Sequence, residues 1–174
     1  QLEHHVYFHQ HAQIYRLAYW VTILFTCYLI IPVLFIRFVL KKGIRDFGLR
    51  LPDSWRSMRI YIVLLVLMVP VVWLFSQTRS FQLRYPFYDP SPGEGLWPYF
   101  WIWQGLYLLQ FFALEFFFRG FMVHGLRKRF GYFSILFMVI PYCMIHFGKP
   151  MPESFSAIFA GLVLGFLSIK TKSV

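Results

Sequence analysis

Five apolar runs constrain this chain more than any other feature: Leu17–Ile36, Ile60–Thr78, Gly95–Leu114, Phe130–Gly148 and Ser154–Ile169. A bilayer core of ~30 Å takes about 20 residues of helix. Inside lipid every backbone N–H and C=O must be satisfied within the spanning element, so helices are the expected solution. The first four runs have the necessary length. The fifth is shorter, with Lys170 and Lys172 placed to snorkel at its edge. The chain is 59% hydrophobic and 22% aromatic with only 14% charged residues. A soluble domain of 174 residues would need more polar surface than this. The expected fold is therefore all-α: a polytopic integral membrane helical bundle with five spans.

The net charge of +10 does not point to nucleic acid, because the basic residues cluster between apolar runs where topology signals belong. One side would carry Arg37, Lys41, Lys42, Arg45, Arg50, Arg56, Arg59, Arg127, Lys128, Arg129, Lys170 and Lys172. The other would carry Arg16, Arg79, Arg84 and Lys149, with Arg119 inside a span. Twelve against four places the N-terminus outside and the 41–59 loop in the cytoplasm. The turn residues Gly43, Gly48 and Pro52 suit a headgroup-level loop. Pro86, Pro90, Pro92, Gly93, Gly95 and Pro98 suit an aromatic, Pro-bent cap on the outer surface. Cys27 and Cys143 lie in apolar runs without metal spacing and read as small core residues. The domain expectation is a His-rich segment over 1–16 and a membrane domain over 17–174, incomplete at the C-terminal end. No signal peptide is expected.

Glu115 and Arg119 stand in a Phe-rich apolar stretch, where an ionised side chain is costly and usually marks a site. Four residues apart, they share a helix face and can pair. His146 is the second intramembrane ionisable group. A hairpin pivoting at Phe130–Gly131 puts Glu115 and His146 about 15 residues from the turn, ~23 Å up facing helices. A carboxylate beside an imidazole in an apolar pocket is suited to hold and deprotonate a water. Two ligands alone do not make a zinc site, so no metal ligands are assigned. His124, nine residues from Glu115, is expected on the opposite face. Glu153 reads as a first-turn acid favoured by the helix dipole. Gly161 and Gly165 read as a close-packing face.

Leu114-Glu115-Phe116-Phe117-Phe118-Arg119-Gly120 resembles the first motif, E-E-x-x-x-R, of the CPBP family, which comprises the CAAX prenyl endopeptidases and the bacterial abortive-infection relatives. Tyr142-Cys143-Met144-Ile145-His146 is similar to its second motif, F-x-x-x-H. The resemblance is best over 105–172. It implies an intramembrane endopeptidase of the CAAX-processing type, with Glu115 and His146 activating water, Arg119 orienting, and Tyr142 and Phe118 binding substrate. It further implies a membrane-bound peptide substrate and, for a bacterial member, the inner membrane. The family is sometimes described as metal-dependent, with zinc one such metal, so the cofactor stays open. A later motif, His-x-x-x-Asn or a variant, would lie beyond Val174.

Leu114 replaces the first Glu of the family pair, and this favours a second reading, a catalytically inactive membrane scaffold or immunity protein. Two other classes fit worse. Gln1-Leu2-Glu3-His4-His5 resembles a desaturase histidine box, but di-iron chemistry needs more His than the six present. A transporter would show broken helices in matching halves, and none is evident.

Overall fold

A computed structural model describes residues 12–50, 55–89 and 96–174, and among these every regular element is helical. His4, His5, His9 and His11, Pro52, and the 90–95 part of the outer cap lie outside the described residues. We number the helices α1 (Ala12–Val39), α2 (Trp55–Ser76), α3 (Arg79–Gln82), α4 (Tyr99–Phe130), α5 (Phe133–Met144) and α6 (Met151–Thr171). A 3-10 turn, Ile44–Phe47, lies between α1 and α2.

Among the described residues, four helices are long and apolar enough to cross a membrane: Ala12–Val39, Met58–Ser76, Tyr99–Phe130 and Met151–Thr171. The expected fourth span, Phe130–Gly148, instead holds the 12-residue α5. Such a helix covers ~18 Å, well short of the ~30 Å hydrocarbon core. Pro141 removes one rung inside α5, the helix runs on to Met144, and the chain turns at Ile145–Gly148. The expected third span also changes. It does not stop at Leu114 but runs on through Glu115 and Arg119 to Phe130, 32 residues in all.

That long helix is not regular. Phe116–Met122 winds as a π-helix, with bonds from i to i+5 rather than i+4. Two further π segments, Thr26–Ile30 and Phe35–Val39, interrupt α1. The π winding of α4 brings Gly120 against the 3-10 turn: a Cβ there would lie 2.7 Å from the Phe47 carbonyl oxygen. A backbone oxygen cannot swing aside as a side chain can. Gly120→Ala is therefore expected to destabilise the protein by about 1–3 kcal/mol, read as a lowered unfolding midpoint in detergent.

α4 and α5 form a hairpin through Gly131, whose φ of +56 suits glycine. α6 then packs back on α5 along small residues. A Cβ at Gly165 would sit 2.9 Å from Ile135 Cγ2, and one at Gly161 would sit 3.0 Å from Val139 Cγ2 and 3.3 Å from Tyr142 Cδ1. The expected close-packing face is thus used inside this chain, against α5. Phe118, Val123, Ile135, Met138, Val139 and Ile169 form the core where α4, α5 and α6 meet. Near the start of α1, Ile14 and Val21 pack with Tyr88 of the 85–89 segment, the cap, and with Trp103 of α4. Gln13 ties the cap down: its Nε2 donates to Phe87 O at 3.1 Å, and its Oε1 accepts from Asp89 N at 3.2 Å. By contrast, no side chain of the Met58–Ser76 span is buried. Its surface is apolar all round, a surface that lipid solvates.

Candidate active site

Glu115 closes the regular first part of α4, just before the π segment, and its carboxylate pairs with the Arg119 guanidinium. Arg119 is 3% exposed and the Glu115 side chain 36%, so the pair has a buried cation and a carboxylate that reaches open space. The guanidinium carbon also lies 5.1 Å from the centre of the Tyr142 ring, a cation–π contact that helps offset its desolvation. Its Nε and Nη2 are buried without a hydrogen-bond partner among the described residues. Ionic and π contacts, rather than a full set of hydrogen bonds, hold this cation in place.

His146 follows from how α5 ends. The last turn tightens, so His146 N–H donates to Cys143 O at 3.0 Å rather than to Tyr142 O. The Tyr142 carbonyl freed by this shift receives the His146 ring instead, with Nδ1 at 2.8 Å. A carbonyl can only accept, so the proton sits on Nδ1 and the neutral ring presents Nε2 as a lone pair. The turn is pinned on both sides. Gly148 has a φ of +81, and Ser154 Oγ of α6 donates to His146 O at 2.8 Å.

Glu115 and His146 line one cavity of about 340 Å³. Gln110 and Leu114 of α4, Tyr142 of α5 and Tyr28 of α1 are among its other walls. Tyr142 joins the parts: its ring centre is 4.9 Å from that of His146 and 5.3 Å from that of Phe118. Phe118, expected from the sequence as a substrate contact, is 1% exposed and does not line the cavity. It packs on Tyr142 and on Tyr28, so its contribution runs through Tyr142.

His124 is absent from this cavity, in keeping with its expected place on a different face from Glu115. His124 Nε2 lies 3.0 Å from Ser168 Oγ of α6, and that hydroxyl donates to Arg119 O at 3.1 Å.

Gln110 was not singled out by sequence reasoning. It is 7% exposed, its Oε1 has no partner among the described residues, and it lines the Glu115–His146 cavity. The available signal was an uncharged amide in an otherwise apolar run. Tyr28 and Trp20 of α1 also line the cavity, and no motif marks them.

Next to the cap, Glu153 accepts from Lys149 Nζ at 2.7 Å and from Tyr85 Oη at 2.8 Å. Burial, and then the carboxylate it donates to, hold the Tyr85 phenol well above its ordinary pKa. Tyr85 therefore stays a donor at neutral pH. Glu153 is in the first turn of α6 as expected, and it fastens the cap to that helix. Beside this cluster lies an apolar cavity of about 570 Å³, bounded by Val72 and Phe75 of α2 and Tyr107 of α4.

The donors present do not complete a zinc site: His146 keeps Nε2 free, Glu115 is paired with Arg119, and no third His, Cys, Asp or Glu groups with them among the described residues.

Residues 96–174, a little under half of the chain, match the family model of type II CAAX prenyl endopeptidase Rce1-like proteins. The matched segment contains Glu115, Arg119, Tyr142 and His146. No curated protein matches. No solved structure matches either.

Proposed function

From the premise that residues 96–174 carry the type II CAAX prenyl endopeptidase match, we propose that this chain is an intramembrane endopeptidase cutting a membrane-bound peptide. The observation that carries the reading is the shared cavity: a carboxylate from α4 and an imidazole from the end of α5 face the same 340 Å³ of space. In this reading a water lies between them. It donates one hydrogen bond to His146 Nε2, and Glu115 takes its other proton as its oxygen attacks the scissile carbonyl carbon. The Gln110 amide is placed to donate to the carbonyl oxygen as charge builds there. When the C–N bond breaks, Glu115 returns its proton to the leaving amine, and the new carboxylic acid, still carrying the water's other proton, departs with the amine. Arg119 orients the carboxylate, and Tyr142 holds both Arg119 and His146. The basic residues on the 41–59 loop then face the cytoplasm, with the N-terminus outside.

The test is peptide release by the full-length protein in liposomes against a panel of membrane-anchored peptides, with and without a chelator. His146→Ala is expected to lower cleavage about 10²–10⁴-fold while leaving the unfolding midpoint nearly unchanged. Chelator is expected to have no effect. Folded wild type that cuts nothing on the panel would overturn the reading.

Leu114 favours the second reading, a scaffold or immunity protein without catalysis. It lines the cavity at the position where the family motif has its first Glu. Under that reading wild type is inert, and Leu114→Glu is the substitution that creates activity.

A further inference from the structure

A third cavity, of about 470 Å³, opens where α1, α4 and α6 end. Its walls are Lys42, Arg45, Asp46, Phe47 and Arg50 from the 41–50 segment, His124, Arg127 and Lys128 from α4, and Lys172 after α6. Six cations thus face one carboxylate, contributed by three separate parts of the chain. Asp46 is already engaged, its Oδ2 accepting from Gly43 N at 3.3 Å. Among the described residues no salt bridge reaches Lys42, Arg45, Arg127, Lys128 or Lys172.

The cluster is also held open. Arg50 Nε donates to Lys172 O at 2.9 Å, and Val174 N donates to Gly48 O at 3.0 Å. Gly48 has a φ of +81, and a Cβ there would lie 2.8 Å from Val174 Cγ2 and 3.1 Å from His124 Nε2. The loop is therefore stapled to the end of α6 with its cations facing a common space. Like charges gathered this way repel one another, and an anion with several acceptor oxygens relieves that repulsion.

We propose that this cavity binds a phosphate group, supplied by the headgroup of an anionic membrane lipid. A headgroup is the favoured source because the cavity lies where the spanning helices end, the level at which lipid phosphates sit. Diffuse attraction of basic residues to an anionic surface depends on charge number alone. A built site depends on which charges are removed.

The experiment compares two variants of equal charge loss in the full chain. Arg45→Gln with Arg127→Gln removes two cavity cations, and Arg37→Gln with Lys41→Gln removes two that lie outside it. Each is placed in phosphatidylcholine nanodiscs containing phosphatidic acid, and retained lipid is counted by native mass spectrometry. The cavity variant is expected to lose phosphatidic acid about tenfold while the other retains it. Equal loss from both would overturn the site. A parallel titration with inorganic phosphate separates the sources: saturation there at comparable affinity keeps the phosphate site but overturns its assignment to lipid. If the Arg variant fails to fold, Lys42→Gln with Lys128→Gln, both exposed, repeats the comparison. The proposal does not rest on peptidase activity.

Discussion

Glu115→Gln is expected to lower peptide cleavage by the full-length protein about 10²–10⁴-fold, with a measurable loss of stability because the buried Arg119 loses its counter-charge. The range follows from the usual contribution of a positioned general base. The substitution keeps shape and volume, and its amide can still accept from the Arg119 guanidinium at a partly exposed position. What it removes is the negative charge and the ability to take a proton. Equal rates for Glu115→Gln and wild type would assign Glu115 to helix packing. Leu114→Glu sharpens the comparison, since it restores the family's first acid beside the one present. Activity that appears only with Leu114→Glu would move the protein to the inactive branch.

The largest effect on stability is expected at Arg119. Arg119→Met removes a cation that is 3% exposed and held by Glu115 and by the Tyr142 face. Breaking one side of a buried ion pair costs about 3–5 kcal/mol, but here the carboxylate left behind is 36% exposed and can be hydrated. The expected loss is therefore about 2–3 kcal/mol, at or just below the lower end of that range. Arg119→Lys is expected to recover only part of it, because a point ammonium cannot stack on Tyr142 as a planar guanidinium does. Unfolding midpoints in detergent measure both. A midpoint for Arg119→Met equal to wild type would show that the buried pair contributes no net stability.

The features legible in the sequence were those carried by composition and by local spacing. Apolar run length gave an all-helical membrane bundle, and the i, i+4 spacing of Glu115 and Arg119 gave their ion pair. Two things were not legible. The π winding of Phe116–Met122, which accompanies the close approach of Gly120 to the Phe47 carbonyl, joins segments more than 70 residues apart and has no local signal. His124 lies outside the Glu115–His146 cavity, and its contact with Ser168 of α6 is tertiary and leaves no local mark. The second was where α5 ends. An apolar run from 130 to 148 reads as a span, yet the helix stops at Met144 and the chain turns through Gly148, whose φ is +81. The same early end frees the Tyr142 carbonyl for the His146 ring. The α1 wall of the cavity, Trp20 and Tyr28, is purely tertiary and leaves no local mark.

The most direct test of the central claim, that Glu115 and His146 act together on one water, is a double-mutant cycle on cleavage rate. Glu115→Gln, His146→Ala and the two combined are compared with wild type on one membrane-anchored peptide in liposomes. Groups that act as a unit are non-additive, so the double variant is expected to cleave about as slowly as either single variant. Losses that multiply in the double variant, or a single variant that keeps the wild-type rate, would contradict the account.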